Sequence, residues 1–97
     1  MITAAQLRAA RALVSMDQRK LADYAGLSLP TIQRMEASDG VIRGHVDSLM
    51  KLMGALEAAG VELLADGAAS AGGGRGVRLK QAAVAPESTA IERQDDL

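Results

Sequence analysis

Apolar residues recur three and four positions apart along the first 60 residues, which is the spacing that lines one face of an α-helix. The pattern predicts four helices, at residues 4–14, 18–25, 29–37 and 45–59. Thr3, Asp17 and Ser28 stand just before the first three of these stretches, where a side-chain oxygen can accept hydrogen bonds from free backbone amides. We therefore expect residues 1–60 to form one helical domain.

The pattern changes from a helical period to a period of two in residues 61–80. Two short strands are predicted, at 61–64 and 77–80, joined by a glycine-rich hairpin loop. An isolated hairpin is marginal in water, so we expect this extension to pack on the helices or to pair with a second chain as a dimer interface. Residues 81–97 are polar and acidic, which predicts a flexible tail. The expected fold class is mainly α, with four helices followed by a short C-terminal β-hairpin.

The second and third predicted helices are short and are joined by a tight turn that contains Gly26. Two helices of this length, joined by a turn of three or four residues with a glycine, form the helix-turn-helix unit that enters the major groove of DNA. Gly26 can adopt the positive φ that the turn needs, and Ala22 is small enough for the two backbones to approach. Leu21 and Ile32 complete the packing, so these four residues position the unit without reading DNA.

Charge and composition narrow the class of protein. The chain has 97 residues, enough for one small domain, and no cysteine, which excludes disulfides and Cys-based metal sites. Its formal net charge is −1, but residues 81–97 hold four Asp or Glu against one Arg, whereas residues 1–60 hold seven Lys or Arg against six Asp or Glu. The acidity thus belongs to the tail, and binding of nucleic acid would depend on where the cations of the body point.

No feature of the sequence indicates catalysis, a cofactor or a membrane. His45, Asp47 and Ser48 are close in sequence but belong to different faces of a helix, so they do not form a catalytic triad. The glycine-rich residues 72–76 lack the flanking strand, the helix and the Lys-Ser/Thr pair of a phosphate-binding loop. The chain shows no signal peptide, and no apolar run approaches the roughly 20 residues of a membrane span. We expect a cytoplasmic protein that is not an enzyme and that binds no metal or cofactor.

A specific motif runs through the first three predicted helices. It comprises Arg11, Gln18, Leu21-Ala22, Gly26-Leu27-Ser28, Ile32 and Glu36. With this spacing, residues 7–56 resemble the phage-repressor and Cro-type helix-turn-helix family, also called the Xre family. The resemblance implies a four-helix, repressor-like domain whose third helix enters the major groove of double-stranded DNA. We accordingly expect a DNA-binding transcriptional regulator, acting as a homodimeric repressor on an inverted-repeat operator.

The third helix presents the candidate residues for base contact: Leu29, Pro30, Thr31, Gln33 and Arg34. Gln33 matches the major-groove edge of adenine and Arg34 that of guanine, although Arg34 could bind a phosphate instead. Thr31 could bind a phosphate or contact a thymine methyl. Leu29 and Pro30 stand where many members of the family have polar residues, which favours methyl contacts with thymine or shape complementarity alone.

Five further residues are candidates for phosphate contact: Gln18, Arg19, Lys20, Arg43 and His45. The resemblance implies that Gln18 bonds to a backbone phosphate and can brace side chains of the recognition helix. Arg19 and Lys20 follow a helix N-terminus, which attracts anions, and Arg43 lies in the loop before the fourth helix. A solvated surface role stays open for the helix-2 side chains, and a surface or capping role for His45.

The resemblance also implies a partly buried salt bridge between Arg11 and Glu36, which would tie the first helix to the third. In the alternative, Arg11 is a solvated cation that is free to bind phosphate. Desolvation limits the net contribution of such a pair to stability.

A second function stays open. The same fold could serve as an antitoxin-type or other protein-interaction module that autoregulates its operon, with a toxin or another regulator as its partner. The hairpin or the tail would then cover the partner while the helices bind the operator. No ligand-sensing domain is visible, so we expect regulation by concentration or by a partner protein rather than by a metabolite.

Overall fold

The computed structural model describes residues 1–80, and the predicted acidic tail at 81–97 lies outside the described residues. Four helices form the fold: α1 (Ala4–Leu13), α2 (Gln18–Ala25), α3 (Leu29–Glu36) and α4 (Val46–Ala58). The prediction of a mainly helical fold with four helices is confirmed, and each helix end lies within one residue of its predicted position. Among residues 1–80, no helix is both long enough and apolar enough to cross a membrane.

The first three helices begin where a side chain caps their free amides. Thr3 accepts from the backbone N–H of Gln6, whose side chain accepts in turn from the N–H of Thr3, so α1 starts with a complete capping box. Asp17 accepts from the N–H of Lys20 at 2.7 Å, and Ser28 from the N–H of Thr31 at 3.3 Å. Because these bonds are local, the helix starts could be predicted closely from the sequence.

Three helices are followed by a residue in the left-handed conformation, which lets its own amide and the amide of the next residue bond back to the last turn. After α2 this residue is Gly26, with φ 71°, and after α4 it is Gly60, with φ 99°. After α1 it is Ser15, with φ 56°, although a side chain is strained there. The amide of Met16 nevertheless reaches the Arg11 carbonyl at 3.0 Å and closes the same motif.

The core lies where α2 packs against α3 and α4 and where α1 packs against α3. Its largest fully buried side chains are aliphatic or thioether groups: Leu7, Leu21, Ile32, Met35, Leu52 and Leu56. A core without Phe or Trp is thin, so it depends on close approach of the helices. Ala10, Ala22 and Ala25 are all buried at these contacts and provide that close approach.

The loop after α3 is tied to the start of the chain. Thr3 and Val41 form an isolated antiparallel bridge. The amide of Ala4 donates to the Gly40 carbonyl at 2.8 Å, and the amide of Ile42 donates to the Ile2 carbonyl at 3.1 Å. Ile2 and Ile42 are buried whereas Val41 is exposed, so Ile42 is the residue that anchors the loop. These bonds fix the position of the loop that leads into α4, and with it the side chains of that loop.

Residues 61–80 follow an irregular path and contain no strand at the two predicted positions, 61–64 and 77–80. Val61 is buried against the core, and the side-chain amide of Gln6 donates to the Leu64 carbonyl at 2.9 Å. The Glu62 carboxylate accepts from the Ser70 hydroxyl at 2.7 Å and from the amide of Ala71 at 2.8 Å. These bonds fold the segment back on itself, and the two predicted strands do not pair within residues 1–80.

Candidate nucleic-acid interface

A partly buried ion pair joins the end of α3 to α1. The Arg11 guanidinium contacts both oxygens of the Glu36 carboxylate: Nε pairs with Oε2, and Nη2 donates to Oε1 at 2.8 Å. The third guanidinium nitrogen, Nη1, donates to the Met16 carbonyl at 3.0 Å. The side chain of Glu36 is only 5% exposed and that of Arg11 is 20% exposed, so α1 and α3 are joined by a partly buried, bidentate contact rather than by a solvated pair.

Two further side chains hold the same end of α3. Together, the contacts that Arg11, Gln18 and Arg8 make with Glu36 are called the brace. The Gln18 amide nitrogen donates to Oε1 of Glu36 at 3.1 Å, and Nη1 of Arg8 donates to the backbone carbonyl of Glu36 at 2.8 Å. Arg8 thereby satisfies a carbonyl in the last turn of α3, where a cation also matches the helix dipole. The C-terminal end of α3 is thus held by α1 and by the first residue of α2.

The electrostatics of the brace keep both partners charged. Burial is the largest influence on the Glu36 carboxyl and alone would raise its pKa. Hydrogen bonds from Arg11 and Gln18, together with the charges of Arg11 and Arg8, outweigh burial and hold the pKa of Glu36 below its usual range. The hydrogen bond to Glu36 raises the pKa of Arg11, although desolvation opposes it. The pair is therefore ionised at neutral pH.

Helix α3 also carries the five predicted base-reading residues. Pro30, Gln33 and Arg34 are exposed, whereas Leu29 and Thr31 are half-buried. Nη2 of Arg34 donates to the Thr31 hydroxyl at 3.3 Å, so this guanidinium lies along the helix. Gln33 makes no side-chain hydrogen bond within residues 1–80, and its amide is exposed to solvent.

A small cleft of about 80 Å³ separates α3 from the start of α4. It is lined by Thr31, Arg34, Met35, Arg43, Gly44, His45 and Ser48. The cleft brings together two predicted base-contact residues, Thr31 and Arg34, with two predicted phosphate-contact residues, Arg43 and His45. Two guanidinium groups and two hydroxyls on one concave surface suit an anion with several oxygens.

Gly44 keeps the floor of this cleft open. A Cβ at this position would lie 3.1 Å from Cε of Met35 and 3.7 Å from Cδ2 of Leu49. The absence of a side chain lets the loop pass close to the buried end of α3. Arg43 and His45, on either side of Gly44, are both exposed at the cleft.

The first turn of α4 adds hydrogen-bond donors to the cleft. His45 precedes the helix in an extended conformation and gives no side-chain cap. Within residues 1–80, no acceptor pairs with the backbone amides at 46–48, and Leu49 is the first residue of the helix whose amide is bonded. Free amides at the start of a 13-residue helix attract negative charge.

The other predicted phosphate contacts lie outside the cleft. Gln18 is committed to Glu36 through its amide nitrogen. Arg19 and Lys20 are exposed in the first turn of α2. The ion pairs of the described chain are Arg11–Glu36 and the exposed pair Lys51–Asp47, so none of Arg19, Lys20, Arg34 and Arg43 is neutralised by an acidic side chain within residues 1–80.

Two residues that take part in the cleft and in the brace, Ser48 and Arg8, were not predicted from the sequence. Ser48 lines the cleft together with His45, which corrects the expectation that these two residues lie on different faces of the helix. Their spacing of three residues is the sequence signal that could have identified Ser48. Arg8 lies three residues before Arg11 and therefore on the same face of α1.

Within the described residues, no group of three or more His, Asp or Glu side chains is arranged to hold a metal ion.

Comparisons of this chain with protein-family models, with curated proteins and with solved structures found no match.

Proposed function

We propose that this protein is a sequence-specific DNA-binding transcriptional regulator whose helix α3 enters the major groove. The observation that carries the proposal is the cleft in which Arg34 of α3 meets Arg43 of the following loop. A helix with exposed base-reading groups, flanked by a cationic cleft, combines the two kinds of contact that specific DNA recognition needs. Phosphate contacts fix the position on the duplex, and side chains on the helix read the bases.

The brace at the C-terminal end of α3 supports this role. Base readout needs a helix whose position is fixed, because a bidentate contact tolerates little displacement. Arg11, Gln18 and Arg8 hold the carboxylate and the carbonyl of Glu36, while Gln33 and Arg34 stay exposed. The buried polar groups therefore belong to the support, and the exposed ones are available to DNA.

The phosphate contacts come from two sides of α3. Arg43, His45 and the first amides of α4 bind one phosphate at the cleft, and Arg19 and Lys20 at the start of α2 approach the backbone elsewhere. Gln18 is the first residue of α2. Its side-chain carbonyl oxygen cannot donate a hydrogen bond, so this oxygen binds a phosphate only through a bridging water. Its remaining amide hydrogen is the direct donor.

The regulator acts as a homodimeric repressor on an inverted repeat. One small reading head gives limited affinity, and two heads on half-sites about 34 Å apart bind more tightly through their linkage. Val46 and Met50, four residues apart on α4, are 76% and 63% exposed and offer an apolar contact for a second copy. The hairpin predicted for residues 61–80 stays a prediction for the dimer, where strands from two chains would pair.

Selection of binding sites from random-sequence double-stranded DNA tests the function. The wild-type chain is expected to enrich an inverted repeat at about 50 mM salt, where phosphate contacts are strong. Gln33→Ala with Arg34→Ala should abolish the enrichment and leave weak, unselective binding. Arg75→Ala removes an exposed arginine outside the helical unit and is the matched control, which should enrich the same repeat.

Two results of the selection would contradict the proposed function. If the wild-type chain enriches no sequence, or if the Gln33→Ala, Arg34→Ala variant enriches the same sequence as the wild type, α3 does not read DNA. The alternative, an antitoxin-type or other protein-interaction module, is favoured by the exposed apolar residues Val46 and Met50. In that case, Met50→Lys would prevent capture of the partner.

A further inference from the structure

We propose that the acidic segment 81–97 docks in the cleft between α3 and the start of α4 and competes there with DNA. This inference rests on the proposed function, because it assigns a second, intramolecular occupant to the same cationic cleft. It goes beyond that function by making the DNA affinity of the chain self-limiting.

Charge is unevenly distributed along the chain. Residues 1–80 hold ten Lys or Arg and eight Asp or Glu, so their formal net charge is +2, whereas residues 81–97 carry −3. The four acids of the segment are Glu87, Glu92, Asp95 and Asp96. Opposite charges on one chain attract each other at the high effective concentration that a short connection imposes, of order millimolar.

The cleft is suited to bind carboxylates as well as phosphates. Arg34 and Arg43 make no ion pair within residues 1–80, and they converge with the hydroxyls of Thr31 and Ser48. A guanidinium binds a carboxylate in the same forked geometry with which it binds a phosphate. A site suited to the DNA backbone is thus also suited to an Asp or Glu side chain, as in the recognition of acidic motifs by arginine clusters.

The acidic segment is long enough to reach the cleft. The segment has 17 residues, which span up to about 55 Å when extended. The longest dimension of the described chain is 48 Å, so the cleft lies within range of the end of the segment. Arg75, Arg78 and Lys80 lie nearer in sequence, but they belong to an irregular segment, and Arg78 already faces the charge of Glu62.

The test uses the full chain without DNA, so its result does not depend on the proposed function. The tail variant carries Glu92→Gln, Asp95→Asn and Asp96→Asn, which brings the formal charge of the segment to zero. Amide and arginine Nε–H NMR signals of Arg34, Arg43 and Ser48 should shift relative to the wild type. The control variant carries Asp23→Asn, Glu57→Gln and Asp66→Asn, three exposed acids without an ion pair in residues 1–80, and should leave these signals in place.

A second measurement separates docking from general repulsion of DNA. At low salt the tail variant should bind DNA at least about threefold more tightly than the control variant, which has the same net charge. The difference should shrink as salt rises, because salt screens the competing pair. Arg43→Ala should remove most of the effect of the tail substitutions.

Three results of these measurements would overturn the docking of the acidic segment in the cleft. Shifts confined to residues 75–80 mean that the acids pair locally, and an absence of shifts means that they dock nowhere; either result overturns the proposal. Equal DNA affinities of the tail and control variants also overturn it, since net charge alone then explains the change. If no variant binds DNA, the proposed function fails while the NMR comparison still decides whether the cleft holds the acidic segment.

Discussion

Gln18, the first residue of α2, donates its side-chain amide to the Glu36 carboxylate at the end of α3 across 3.1 Å. The same carboxylate receives the Arg11 guanidinium from α1. One buried acid therefore joins three helices, and the position of the exposed face of α3 depends on it. A residue expected to contact phosphate is part of this support.

Arg11→Met should destabilise the fold strongly, because it leaves the Glu36 charge buried without its main partner. We expect a loss of about 3 kcal/mol in the free energy of unfolding, measured by urea denaturation. Arg11→Met combined with Glu36→Leu should recover part of that loss. Lys51→Met, which breaks the exposed Lys51–Asp47 pair, is the control and should cost less than about 0.5 kcal/mol. Equal losses in the two single variants would contradict the role of the buried pair.

Stability should fall in acid through Glu36. Its pKa is lower in the folded chain than in the unfolded chain, so the folded state binds fewer protons and stability rises with pH. The contribution is complete above the unfolded pKa, at about 4.3, and is lost as the pH falls through the folded pKa. The urea midpoint, measured in a buffer series that runs from neutral to acidic pH, should drop less steeply for Glu36→Gln than for the wild type. Parallel profiles would rule out Glu36 as the source.

Ser15→Gly should stabilise the protein, because Ser15 holds the left-handed conformation that glycine adopts without strain. The expected gain is about 0.5 to 1 kcal/mol, less the extra entropy that glycine brings to the unfolded chain. Gly26→Ser places the same side chain at the equivalent position after α2, where a Cβ would meet no atom within 4 Å and the cost is the strain in φ alone. It should destabilise by about 1 kcal/mol. Thermal melts of the two variants should move in opposite directions.

The helices could be predicted from the sequence because their signals are local. Thr3, Asp17 and Ser28 cap their own first turns, and Gly26 ends α2, so each boundary depends on residues three or four positions away. The cleft could not be predicted in the same way. Ser48 reaches it only because the bridge between Thr3 and Val41 fixes the loop that precedes α4, and that bridge joins residues 38 positions apart.

The conformation of the C-terminal extension, residues 61–80, could not be predicted from local signals. An apolar period of two at 61–64 and 77–80 indicates strands only if a partner strand is available. Within residues 1–80, Glu62 instead bonds to the backbone at 71 and 72, and Gln6 takes the carbonyl of Leu64. Composition does not encode these competing contacts.

Arg43→Ala should weaken DNA binding by a similar factor on every sequence, because a phosphate contact carries no base information. The slope of log K against log salt should become shallower by about one, since one fewer counterion is released. Arg75→Ala removes the same charge outside the cleft and should leave the slope unchanged. Fluorescence anisotropy over a series of salt concentrations measures both. A loss that depends on the sequence would assign Arg43 to base contact.

The most direct test of the central claim is a scan of the selected binding site with 7-deaza purines, which lack the N7 acceptor on the major-groove edge. If Gln33 and Arg34 of α3 read that edge, at least one purine in each half-site should lose about 1 to 3 kcal/mol of binding free energy when it is modified. The Gln33→Ala, Arg34→Ala variant should be insensitive to the same modifications. Affinity that is unchanged at every modified position, or a sensitivity that persists in the variant, would contradict the claim that α3 reads DNA.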